Sequence, residues 1–381
     1  MSNIDHIILF GILFSLFAGV TKFNQKLINK HFWNITFILI ITYSIVLGCR
    51  YGWGNDYLWY KYRIEHPNAY SNEEIGFKLI NQTLKQLGLN YAGVYIIYSL
   101  VFIVAGFKYI KGYKFNKYML ALFLPATIIL ETSTIRQSLS ISFIFLSLYF
   151  LQKKKYYHTI CMLLIAFSIH NGNVIIAFIF ILSYIITNYV TPLMLPWKFT
   201  IPFYIAFTIS AELFNQFAFP IIENITSSIS LDNKYQSYIE TSDSWFSQEA
   251  YNAEYEQSDF TLILTSIFHI SIIYLCYICI NNKFIKNRNL IYIYNNIVIG
   301  ILLLRLFFHF EILRRIAESI IQFYFIPLGY ALYMFFHNKR LISKKHIKYC
   351  KICIYCIFMY LLLYFGRFIL LSPSHKFIWN I

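Results

Sequence analysis

The sequence predicts an all-α, polytopic integral membrane protein of about twelve helices, and three observations carry that prediction. First, 58% of the 381 residues are hydrophobic and only 13% are charged. A soluble domain of this size carries about 25% charge. Second, the apolar residues come in blocks, such as Ile35–Leu47, Tyr91–Ala105, Val174–Ile186 and Ile352–Phe365. Blocks that are apolar on every face and approach ~20 residues read as membrane-spanning helices. A β-barrel would alternate apolar and polar every second residue, and this chain does not. Third, lysine and arginine gather in alternate connections between the blocks.

In chain order the spans fall at about 4–21, 32–49, 91–107, 118–132, 137–151, 157–170, 173–190, 201–219, 260–280, 290–308, 316–336 and 352–371. The first carries Asp5 and His6 where a signal peptide has a basic region, and it lacks a small-residue cleavage site. It is therefore expected to remain as a span. The fourth, fifth and sixth are short. Orientation follows from basic residues. With the even-numbered spans running outward, both termini lie outside. The cytoplasmic connections then hold Lys22, Lys26 and Lys30; Lys108, Lys111, Lys114 and Lys117; Lys153–Lys155; Lys198; Lys283, Lys286 and Arg288; and the run from Lys339 to Lys351. They contain 20 of the 32 basic residues and none of the 17 acidic ones. The net charge of +15 is thus mainly a topology signal, not a nucleic-acid footprint, because the lysines are split among loops flanked by membrane. Residues 1–381 read as a single membrane domain without a soluble domain. No internal repeat supports an inverted-repeat transporter.

Two external loops are long, about 50–90 and 220–259. The first contains an amphipathic stretch, Phe77–Leu87, in which Phe77, Ile80, Leu84 and Leu87 have helical spacing. That spacing suggests a helix lying along the membrane interface. The second is acidic and aromatic-bearing, with Asp232, Glu240, Asp243, Trp245, Glu249, Glu254, Glu256 and Asp259. Such a loop suits carbohydrate, whose hydroxyls need acceptors and whose ring faces stack on aromatics; the plain alternative is a solvated loop. Cys276-x-x-Cys279 and Cys350-x-x-Cys353-x-x-Cys356 have metal-like spacing but lie in or beside apolar helices near the cytoplasmic face. They read as small buried hydrophobes.

The chemistry-bearing residues stand at the ends of spans on the side the orientation places outside. Arg50-x-Gly52-x-Gly54-x-Asp56-x-x-x-Tyr60 combines a possible phosphate clamp with glycines free to take positive φ and a carboxylate able to act as base. Its alternative is an Arg50–Asp56 ion pair within an aromatic belt. Arg136-Gln137 lies at a very short external hairpin, and His170-Asn171-Gly172 links the sixth and seventh spans. His170 can orient a phosphate or act as an acid–base group, or it can cap a helix. Arg305, His309, Glu311, Arg314, Arg315 and Glu318 are spaced for i,i+4 pairs, yet ionisable groups at the membrane are a functional hypothesis in their own right. Glu212, within the eighth span, is a weaker candidate of the same kind. Arginine on the outer side runs against the usual bias, and a polyanion such as a lipid-linked pyrophosphate explains it. No nucleotide-binding loop, HExxH or Gly-x-Ser-x-Gly occurs, which leaves an ATP-driven pump and a cytosolic sugar-nucleotide transferase unsupported.

These motifs, in their order, resemble the EpsG/Wzy group of bacterial polysaccharide polymerases over about residues 48–327. The marks are Gly48–Asp56 with Tyr60, Glu74-x-Gly76-Phe77, Ile135-Arg136-Gln137, His170, Lys234-Tyr235-x-x-Tyr238, and Arg315-Ile316 leading into Phe323–Pro327. Ser138-Leu139-Ser140 and Ala317-Glu318-Ser319 depart from the group's pattern, and the second departure leaves both Arg314 and Arg315 as candidates. The resemblance implies a glycosyltransferase of the bacterial cytoplasmic (inner) membrane, working on its outer, periplasmic face. Such an enzyme joins undecaprenyl-pyrophosphate-linked repeat units into O-antigen, capsule or exopolysaccharide, with a chain-length regulator as a possible partner. Arg50, Arg136, Gln137, Arg305, Arg314 and Arg315 would bind the pyrophosphate. Asp56, first, or His170 would take the acceptor's proton, and Tyr60, Lys234, Tyr235 and Tyr238 would contact sugar. No cofactor or metal is called for, since clustered guanidinium groups can hold a pyrophosphate. A polyprenyl-linked glycan flippase and a membrane O-acyltransferase of polysaccharide remain the alternatives.

Overall fold

The computed structural model describes residues 2–54, 56–68, 74–190, 192–228, 258–281, 287–308, 311–370 and 376–380. Among these, helices dominate, and the strands are two residues each. Among the described residues, each range expected to span the membrane is largely helical, and the range 316–336 is divided between two α-helices by a 3-10 turn at Gln322–Tyr324. Seven are long and apolar enough to cross a membrane: Ile4–Lys22, Tyr91–Lys111, Asn173–Val190, Asp259–Ile280, Arg288–Leu306, Leu313–His337 and Lys344–Ile369. Phe32–Gly48 and Tyr156–Ile169 are apolar but shorter.

The chain forms two compact units. The first comprises Met1–Leu182, Tyr324–Ser343 and Leu361–Ile381. It contains helices α1 (Ser2–Gly19), α2 (Gln25–Lys30), α3 (Phe32–Gly48), α4 (Tyr57–Glu65), α5 (Ile75–Gln86), α6 (Tyr91–Lys111), α7 (Lys117–Ser133), α8 (Ile135–Gln152) and α9 (Tyr156–Ile169), most of α10 (Asn173–Ile185), and α15 (Phe325–His337). Helices α3, α6, α8 and α9 pack in series, α3 on α6, α6 on α8 and α8 on α9. Capping starts α6 cleanly: the Asn90 side chain accepts the Gly93 N–H. The long loop after α3 is not irregular, for it folds into α4 and α5. The apolar side of α5 meets the unit's own core, with Phe77 fully buried and Ile80 and Leu84 packed against Tyr98 and its neighbours. The expected amphipathic helix therefore exists; Phe77, Ile80 and Leu84 of its apolar stripe pack on protein, whereas Leu87 is exposed.

The second unit comprises Ser183–Phe323 and Lys344–Tyr360. Its helices are α11 (Trp197–Ser228), α12 (Asp259–Ile280), α13 (Arg288–Leu306), α14 (Glu311–Ile321) and the first part of α16 (Lys344–Leu370). Polar side chains of α13 fix the connection before α11: Asn295 donates to the Leu193 carbonyl and accepts the Leu195 N–H, at 2.8 and 2.9 Å. Lys234, Tyr235 and Tyr238 lie outside the described residues, as do His309 and the side chains of Glu212 and Glu311.

Candidate functional site

The site in the first unit is built on the loop that follows α3. Gly52 and Gly54 take φ of +72° and +86°, the conformation expected of them. At Gly54 a Cβ would stand 2.5 Å from the Thr132 carbonyl oxygen, so glycine is required there twice over. Arg50 is 1% exposed. Its guanidinium donates to the Leu47 carbonyl and, at 2.8 Å, to that of Glu131, while its own carbonyl accepts from the Tyr57 hydroxyl at 2.7 Å. The fork that was a candidate phosphate clamp is thus occupied by main-chain oxygens at the ends of two helices. No Arg50–Asp56 ion pair forms either; the arginine braces the loop from below. From the other side, Arg50–Tyr51 pairs antiparallel with Lys376–Phe377. The Trp53 indole donates to the Lys376 carbonyl at 2.7 Å.

Above this brace stands a cluster of ionisable groups centred on Glu74. The α7–α8 hairpin has Thr134 as its single linking residue, which places Arg136 in the first turn of α8. Arg136 Nη1 donates to Glu74 Oε2 at 2.5 Å, and the two side chains are 13% and 6% exposed. The other carboxylate oxygen, Oε1, lies 3.9 Å from His170 Nδ1. His170 ends α9 in an extended conformation, and its N–H still bonds the Ala166 carbonyl. Helix α5 reaches this point because Gly76 touches α9: a Cβ there would fall 2.3 Å from Ser168 Oγ and 2.8 Å from Ser168 main-chain atoms.

Tyr60 closes the group. Its ring is nearly buried, packs edge-on against Phe77 at 5.8 Å, and has the Arg136 guanidinium 6.0 Å from its centroid. Burial pushes the Tyr60 hydroxyl above its ordinary range, Arg136 pulls it down, and Asp56 and Glu74 push it up again. The hydroxyl therefore stays protonated at neutral pH and can donate. Asp56 precedes α4 and makes no side-chain capping bond to it.

The structure thus gathers Arg136, His170 and Tyr60, with Asp56 beside Tyr60, and adds Glu74, which the sequence reading left without a role. The signal was present in Glu74-x-Gly76-Phe77, where the glycine makes the contact that delivers the acid. Gln137 is buried, and its carbonyl accepts from the Asn173 amide at 3.3 Å.

In the second unit Arg305 is 2% exposed and donates from Nε to the Tyr204 hydroxyl at 2.7 Å. That hydroxyl also meets His269 Nδ1 at 3.2 Å. Arg314 pairs with Glu318 at 3.8 Å, as its i,i+4 spacing suggested. Arg315 is half-buried, and its carbonyl accepts from Ser319.

No group of three or more metal-ligating side chains occurs among the described residues. The family model described as "EpsG family" matches residues 33–373, nearly the whole chain. No curated protein and no solved structure matches.

Proposed function

Because the chain belongs to the EpsG family, we propose that it is a membrane glycosyltransferase that polymerises lipid-linked oligosaccharide repeat units into a surface polysaccharide. The observation that carries the reading is the gathering of Arg136, His170 and Tyr60 about Glu74 at helix ends of the first unit. The donor glycan is attached through its anomeric carbon to undecaprenyl pyrophosphate. An acceptor hydroxyl attacks that carbon, a new C–O bond forms, and the bond to the pyrophosphate oxygen breaks with its electron pair. Negative charge grows on the leaving pyrophosphate, and a fixed guanidinium is the group that stabilises it without reorganising. Arg136 has that role, with the Tyr60 hydroxyl as a neutral donor beside it. The acceptor's proton goes to His170 or Asp56. Geometry favours His170, because a carboxylate stands against its Nδ1 edge and supports the imidazolium that proton uptake creates. Gly172 adds no side chain beside the other nitrogen, where a Cβ would stand 3.1 Å from Nε2.

Arg50 serves by holding the loop that carries Asp56 and Tyr60, a role supported by the bonds of its buried guanidinium to main-chain oxygens. The reaction takes place on the outer face of the cytoplasmic membrane, where the basic residues of the connections place these helix ends. Deletion of the gene followed by gel analysis of surface glycan tests the reading. Single repeat units on their usual carrier are the expected result; loss of all units would point to a flippase instead.

A further inference from the structure

Glu74 contacts Arg136 and His170 unequally. The bond to Arg136 is a full charge-assisted hydrogen bond, whereas the 3.9 Å approach to His170 is electrostatic only. A carboxylate oxygen on a guanidinium N–H presents the charge and the acceptor that a phosphate oxygen would present. It therefore occupies the position an anionic ligand of Arg136 would take. The main chain of Glu74 cannot retreat far, because Gly76, two residues on, is pressed against Ser168 at the end of α9. The side chain, by contrast, needs only a small rotation to trade one partner for the other.

We propose that Glu74 is a positioning residue that couples donor binding to activation of the base. In the empty site it holds Arg136. Arrival of the lipid-linked pyrophosphate takes Arg136 away from it. The released carboxylate turns to His170 and accepts a hydrogen bond from Nδ1–H. His170 is then held in the tautomer whose Nε2 is bare, and Nε2 takes the proton of the acceptor hydroxyl as the new glycosidic bond forms and the anomeric C–O bond to pyrophosphate breaks. The imidazolium so formed is stabilised by Glu74 and returns its proton to solvent. The inference rests on the preceding reading that Arg136 binds pyrophosphate. The charged and titratable groups involved are Glu74 and Arg136 beside His170, and Tyr60, Asp56 and Arg63 around the next position.

The test uses full-length protein in nanodiscs, with undecaprenyl pyrophosphate as the binding probe and lipid-linked repeat units as substrate. Glu74→Gln removes the competitor from Arg136 and the support from His170. It should bind the probe more tightly, by about fivefold or more, while kcat falls on the order of a hundredfold and KM does not rise. Glu74→Asp, which keeps the charge but shortens the reach, should bind the probe slightly better than wild type and retain part of the turnover. A purely structural acid would give the opposite pattern, with binding and turnover lost together. Weaker probe binding in both variants, or unchanged kcat in Glu74→Gln, overturns the proposal. Equal probe binding by wild type and Arg136→Ala would instead mean that the pyrophosphate reading itself is wrong.

Discussion

Replacing Arg136 by alanine should damage the protein in two separable ways. Glu74 is 6% exposed and Arg136 13% exposed, so the substitution takes the guanidinium away from a buried carboxylate. Removing one partner of a buried pair costs about 3–5 kcal/mol, and the slight exposure of Arg136 puts this case near 3 kcal/mol. The second loss is functional. A fixed donor aimed at a developing oxyanion is worth on the order of 3 kcal/mol, about a hundredfold in rate. Adding Glu74→Gln separates the two, because a neutral amide tolerates burial far better than a carboxylate that has lost its guanidinium. The double variant should regain most of the lost thermal midpoint in detergent and still make no polymer. Arg136→Lys should keep the charge and lose the planar fork, so that it rescues stability better than activity. The assay pairs a melting curve with gel analysis of surface glycan at matched protein level. Normal polymer in Arg136→Ala, or restored polymer in the double variant, would refute the reasoning.

Three further predictions concern the loop, the base and the topology. Gly54→Ala should destabilise the protein by about 2 kcal/mol or more, from positive φ and the contact with Thr132; an unchanged melting temperature would show that the loop is looser than described. His170→Ala should abolish turnover while donor binding persists, and Asp56→Asn should be milder; dead Asp56→Asn beside active His170→Ala would reverse the two. A reporter active only outside the cytoplasm, fused after Lys155 or after Lys345, should give no signal, and strong signal at both would invert the topology.

Much of the fold was legible because a helix apolar on every face announces itself within about twenty residues. The same locality explains what was hidden. Arg50 read as an outward cation because its acceptor on Glu131 lies 81 residues away in sequence. The pairing of Arg50–Tyr51 with Lys376–Phe377 left no trace, since a two-residue strand has no periodicity to detect. Arg136 and His170 stood out in the sequence because they fall at the ends of apolar runs. Glu74 did not, because an acid in a long external loop looks solvated, and its partner Arg136 lies 62 residues away. The glycines carried more than their loop suggested: Gly52 and Gly54 took the expected positive φ, while Gly76 had a close approach to α9 that only the packing reveals.

Purified protein, reconstituted with lipid-linked repeat units from a strain that lacks it, is the most direct measurement of the central claim. The account predicts a ladder of lengthening lipid-linked glycans, with one undecaprenyl pyrophosphate released for each linkage formed, and no ladder from Arg136→Ala. Passage of intact single units across the vesicle membrane, without any ladder, would contradict it.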